Sequence, residues 1–140
     1  MKYDDATWHS GGDFPKDLPA KAGATHTGMF LAWAFLAGLA GEIHVEEPDF
    51  FDMLRGRSIT PADFFLSACD GKFTDEDLNS EGNAFAAAYF DFEKGSYLAD
   101  YEATFGKDGP TLYHAADTWE NFDRIAPLIE RRFLAWKQEA

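Results

Sequence analysis

Apolar residues recur at three- and four-residue intervals through most of this chain, and strict alternation is scarce, so the pattern predicts helices. The clearest case closes the sequence. Trp119, Phe122, Ile125, Ile129, Phe133 and Trp136 follow one another at spacings of 3, 3, 4, 4 and 3. Asp117 or Thr118 supplies the cap, and Glu120 completes a capping box. Arg131, Arg132 and Lys137 complement the dipole at its far end. Pro127 falls inside the stripe and predicts a kink or break near Ala126. The run from Thr27 to Leu39 is apolar on nearly every side, which predicts a central helix, with Thr25 as its cap. Phe50, Phe51 and Leu54 predict a short amphipathic helix after Pro48. Thr60-Pro61-Ala62-Asp63 is a start signal for a helix that buries Phe64, Phe65, Leu66 and Ala68 and ends at Gly71. Thr74-Asp75-Glu76-Asp77 caps a short helical turn, and residues 83–92 form a further helix. Tyr97, Leu98, Tyr101 and Phe105 mark another stripe, and Gly109-Pro110 a turn. Thr111-Leu112-Tyr113-His114 is the one plausible strand. Residues 1–23, broken by Gly11-Gly12, Pro15 and Pro19, read as irregular, with Trp8 and Phe14 tucked under the core. The fold class that follows is all-α: one compact domain over residues 1–140, with five to seven helices and an irregular N-terminal segment.

Composition supports a real core. The chain is 46% hydrophobic, holds 14 Phe, and at 140 residues is long enough to fold without a disulfide or metal. Cys69 is the single cysteine, so no internal disulfide forms. No apolar stretch follows Met1-Lys2-Tyr3-Asp4-Asp5, and the apolar run 29–40 is too short to span a bilayer. The expected location is therefore the cytoplasm. Charge narrows the partners. The formal net charge is −13, and residues 22–123 hold 19 acids against 5 bases. No Lys or Arg occurs between Ala22 and Leu54. Nucleic acid and anionic membranes are poor partners for such a surface, and a basic protein is a good one.

The candidate chemistry is thin. The segment 70–82 is rich in acids, but in neither frame does it match the calcium loop: starting at Asp70, position 6 is Asp75, and starting at Asp75, position 12 is Ala86. His9, His26, His44 and His114 show no pairing at i+3 or i+4, and no HExxH or CxxC is present. His26 falls in the first turn of the central helix, where a packing role is expected. Cys69 shares the apolar face of residues 64–69 and reads as a buried, unreactive thiol. Neither GxSxG nor a glycine-rich phosphate loop occurs. No cofactor, metal or catalytic residue is expected on these grounds. Tyr89, Tyr97 and Tyr101, by contrast, are interleaved with Asp91, Glu93, Asp100 and Glu102, a composition suited to gripping a basic protein.

The strings GGDFPKDLP (11–19), GATHTGMFLAW (23–33), KFTDEDLNSEGNAF (72–85) and DTWENFDRIAPLIERRFLAWK (117–137) resemble a family of small acidic bacterial proteins of uncharacterised function. The resemblance spans nearly the whole chain and implies no activity. In size and charge such proteins are similar to immunity partners of secreted toxins. Three functional expectations follow. The leading one is an immunity-type inhibitor docking on a basic toxin or enzyme through Glu46, Glu47, Asp49, Asp75, Asp77, Tyr97, Asp100 and Tyr101. The second is a small enzyme or metal-binding protein in which His9, His26 and His114 converge with carboxylates. The third is a homo-oligomer, in the simplest case a dimer, with surface aromatics at the self-interface.

Overall fold

The computed structural model describes residues 1–139. Helices dominate them, as the periodicity predicts, and six of the eight α-helices have seven residues or more. The chain opens with β1 (Lys2–Asp5) and α1 (Ala6–His9), then passes through a 3₁₀ turn (Ala20–Ala24) into α2 (Thr25–Leu36). Short helices α3 (Glu42–Glu46) and α4 (Asp49–Arg55) lead to α5 (Pro61–Ala68) and β2 (Lys72–Thr74). After a 3₁₀ turn (Asp75–Asp77) come α6 (Ser80–Tyr89) and α7 (Tyr97–Phe105), then a 3₁₀ turn (Leu112–His114) and α8 (Trp119–Glu139).

The core is built around α2, whose residues from Thr25 to Phe35 are all buried. A helix that is apolar on all sides can satisfy itself only at the centre. Its principal neighbour is α5. A Cβ at Gly28 would lie 2.5 Å from the carbonyl oxygen of Pro61, so glycine is what lets the start of α5 approach this closely. The Thr60 hydroxyl accepts from the Asp63 N–H and Pro61 occupies the first turn, as the start signal requires. On another side α8 lays down Phe122, Ile125, Ile129 and Phe133, with Phe133 meeting Trp33 edge-on at 5.3 Å. Phe30, Phe85, Phe90 and Tyr97 fill the space between as tilted, stacked and edge-on pairs. Gly38, at φ +86°, ends α2 in the left-handed region that glycine tolerates.

Several expectations need correction. β1 and β2 pair antiparallel, with Asp4 opposite Phe73 and Asp5 opposite Lys72. The N-terminal segment is thus tied into the body by a small sheet that neither strand's composition announces. Residues 111–114 are not a strand. The Thr111 hydroxyl and the His114 ring cap each other's backbone, which closes a 3₁₀ turn. Trp8 does not tuck under the core: it is 58% exposed, with the Lys2 ammonium 5.3 Å from its ring. Phe14 is half-buried against Tyr113. Thr25 is the first residue of α2 rather than its cap, because the preceding 3₁₀ turn feeds straight into the helix. The helix assigned to residues 83–92 starts and ends earlier, since Asn79 caps it by accepting from the Gly82 N–H. Finally, α8 runs unbroken through Pro127.

Candidate functional site

Three arrangements stand out, and the most exposed lies between the end of α2 and the end of α4. Gly41 opens α3 and Pro48 caps α4, so the chain here is cut into helices of five and seven residues. Each turns one side inward: His44 from α3, Phe51 and Leu54 from α4. Their other sides ought to be polar, yet Ile43 is 49% and Val45 59% exposed, and Leu36, Phe50 and Met53 are also open to solvent. Two concavities mark this surface. One of about 450 Å³ is lined by Leu36, Val45, Phe51 and Arg55 among others. The second, of about 200 Å³, is lined by Ile43, His44, Glu47, Phe50, Phe51 and Ala68, so the two share Phe51. Around them stand Glu42, Glu46, Glu47, Asp49 and Asp52, all exposed. The one base of the segment, Arg55, is engaged: it donates to Asp52 at 2.9 Å and lies 3.8 Å from the Phe51 ring centroid. An apolar floor with an acidic rim is the result.

The second arrangement is buried. β1 brings Asp4, α1 brings His9, and the first turn of α2 brings His26. His9 Nε2 lies 2.7 Å from Asp4 Oδ1, and His9 Nδ1 lies 2.8 Å from the Tyr113 hydroxyl. The Thr27 hydroxyl donates to Asp4 Oδ2. His26 stands edge-on to His9 with ring centroids 4.5 Å apart, and its Nε2 is 3.8 Å from Asp4 Oδ2. Neither His26 nitrogen has a hydrogen-bond partner among the described residues, and the nearby Tyr101 hydroxyl has none either. Burial first, and then the proximity of His9, lowers the His26 pKa to about 3 against a smaller opposing pull from Asp4. With its pKa held this low, His26 is a neutral imidazole at ordinary pH, and one of its two unpartnered nitrogens keeps a free lone pair.

The third arrangement joins His44, Cys69 and Asp77, all buried. Asp77 accepts from the Thr74 N–H at 2.8 Å and lies 2.7 Å from His44 Nε2. Burial, reinforced by the Asp77 charge, pushes the Cys69 thiol well up. That is the environment of an inert thiol, as its place on an apolar helix face predicts.

A family model described as Domain of unknown function (DUF7832) matches residues 2–115. The chain belongs to this family. All three arrangements lie within the matched residues, whereas α8, which covers the core from outside, lies beyond them. Comparison with curated proteins yields no match, and comparison with solved structures yields none.

The residues expected to form one docking face separate into two groups. Glu46, Glu47, Asp49 and Asp75 are exposed, the first three on the α3–α4 rim and Asp75 in the turn after β2, where it pairs with the N-terminal ammonium at 3.2 Å. Tyr97, Tyr101, Asp100 and Asp77 are buried, so these four do not present a surface. The reason is packing and pairing. Tyr97 and Tyr101 sit on the inward stripe of α7, and the Tyr97 hydroxyl donates to the His26 carbonyl at 2.6 Å. Asp100 can be buried because Arg132 donates to both its oxygens at 2.9 Å and Tyr89 donates at 2.7 Å. Of the three histidines expected to converge, His9 and His26 meet. His114 turns instead to Asp17, at 3.1 Å, and to Thr111. Phe50, read with Phe51 and Leu54 as the apolar stripe of a short helix, is exposed instead, and Ile43 and Val45 were not singled out at all.

Proposed function

We propose that this chain is an acidic protein-binding module that docks a basic partner protein on its α3–α4 face, in the manner of an immunity-type inhibitor on a basic toxin or enzyme. The observation that carries this reading is the exposed set Leu36, Ile43, Val45, Phe50 and Met53, set among five exposed acids. Leu36 and Val45 line one concavity of this face and Ile43 and Phe50 the adjoining one, and exposed apolar side chains gathered in this way favour a binding surface. Its burial supplies affinity, and the acidic rim accelerates encounter with a positive surface. The same rim disfavours a second copy of this chain as occupant, because two such faces repel.

The test is capture of a partner from native lysate, followed by binding kinetics with purified components. Val45→Asp and Phe50→Asp, both at exposed positions, are expected to raise the dissociation rate. The triple variant Glu46→Lys, Glu47→Lys, Asp49→Lys is expected to slow association about tenfold or more and to flatten its salt dependence. Binding indifferent to both sets of changes, or self-association as the sole interaction, would overturn the proposal.

A further inference from the structure

We infer that Asp4, His9 and His26 form a site for a single zinc ion that ties the N-terminal strand and helix to the start of α2. This is independent of the docking face. One donor atom from each residue lies within 4.8 Å of the other two. Tetrahedral zinc with bonds of about 2.0 Å holds its donors about 3.3 Å apart. His9 Nε2 is 2.7 Å from Asp4 Oδ1 and His26 Nε2 is 3.8 Å from the other oxygen, Asp4 Oδ2, so seating an ion on one donor atom from each residue takes side-chain adjustment.

A structural aromatic cluster explains the burial of His26 but not its chemistry. An imidazole only 1% exposed with both nitrogens unpartnered is a costly occupant of a core. Metal coordination would satisfy one of the two nitrogens and so reduce that cost. The surroundings also match what metal-bound histidine and carboxylate need. The Tyr113 hydroxyl holds His9 Nδ1 and can fix the tautomer that leaves Nε2 free for the ion. The Thr27 hydroxyl holds one oxygen of Asp4. Two imidazoles and a carboxylate suit zinc, and three protein ligands leave one position for water or another small ligand. Asp4 and His26 are buried and the His9 side chain is 14% exposed, so His9 is the ligand of the three with appreciable access to solvent.

The test uses the full chain, tag-free and stripped with chelator. Calorimetric titration with Zn²⁺ is expected to give one equivalent bound, and the thermal midpoint to climb with zinc concentration. His9→Gln, which retains a polar side chain at the edge of the cluster, is expected to abolish both effects while its circular dichroism stays native. Tyr113→Phe is expected to weaken binding by about 10–100-fold, as loss of a supporting hydrogen bond does. His44→Gln is expected to leave binding intact. Co²⁺ substitution should show tetrahedral visible bands without a thiolate charge-transfer band. Absence of saturable binding by the wild-type protein would overturn the site. So would binding that survives His9→Gln, or a thiolate band that moves the ion to Cys69.

Discussion

At the residue scale, the acids of this chain behave in opposite ways according to what faces them. Asp5 accepts from the Thr7 hydroxyl and from Lys2, which lowers its carboxyl to about 2. Asp117 lies in the opposite situation. Burial raises it, against the pull of the Thr60 hydroxyl and the Ala62 N–H, and nearby Asp63 adds to the rise. Its carboxylate nonetheless satisfies the Ala62 N–H at 2.9 Å at the start of α5. A group whose folded pKa is raised contributes stability fully below its unfolded value and loses it as pH climbs through the folded value. Ionisation of Asp117 therefore costs stability at neutral pH, even though its carboxylate caps the start of α5. Asp117→Asn keeps an acceptor and sheds the charge, so it is expected to stabilise at pH 7 and to lose that advantage near pH 3.5. Asp117→Ala is expected to cost about 1 kcal/mol, the loss of a cap. Denaturant unfolding of both variants at the two pH values checks this. An Asn variant weaker than wild type at pH 7 would show that the cap needs its charge.

At the element scale, helices that bury a clean stripe were legible and the small sheet was not. The Thr60 cap, the apolar α2 and the stripe of α8 each declare themselves within a dozen residues. β1 and β2 have four and three residues and meet across about 70 positions of chain, so no local pattern exposes their pairing. α7 shows a subtler failure. Acids beside Tyr97 and Tyr101 suggest a wet surface, yet the i, i+4 spacing of the two rings already places them on one inward line. Pro127 was expected to kink or break α8; the helix is not broken there and carries the proline on an exposed position. Phe122 and Ile125 before it and Ile129 and Phe133 after it are all buried, so both halves are anchored in the same core. Proline there still withholds one backbone hydrogen bond and crowds the preceding turn. Pro127→Ala is thus expected to stabilise by about 1–3 kcal/mol. Chemical denaturation measures it, and a destabilised variant would mean that α8 depends on the proline's geometry.

At the scale of the whole molecule, a net charge of −13 spread over 140 residues repels itself. Added salt shortens the reach of that repulsion from about 30 Å at 0.01 M to about 10 Å at 0.1 M. The thermal midpoint in chelator is expected to rise between those concentrations. Relief of about 1 kcal/mol corresponds to about 3–5 °C for a chain of this size. A flat or falling midpoint would mean that ion pairs such as Arg132–Asp100 outweigh the repulsion. Among the described residues no helix is long and apolar enough to cross a membrane, in line with the short apolar run that the sequence shows.

The sequence by itself determined the helical class, the central place of α2, the inert character of Cys69 and the acidic surface. Each is a property of composition or of local spacing, and local spacing decides which face of a helix seeks the core. Only the tertiary structure decided which acids are wet. It buried Asp77 and Asp100 by giving them His44 and Arg132, and it left Glu46, Glu47 and Asp49 around an apolar floor. It also brought Asp4, His9 and His26 together, at sequence intervals of 5 and 17 that no single helix face repeats. That meeting depends on a strand pairing, a close helix approach and a 3₁₀ turn acting at once, and such long-range coincidences have no signature in a linear pattern.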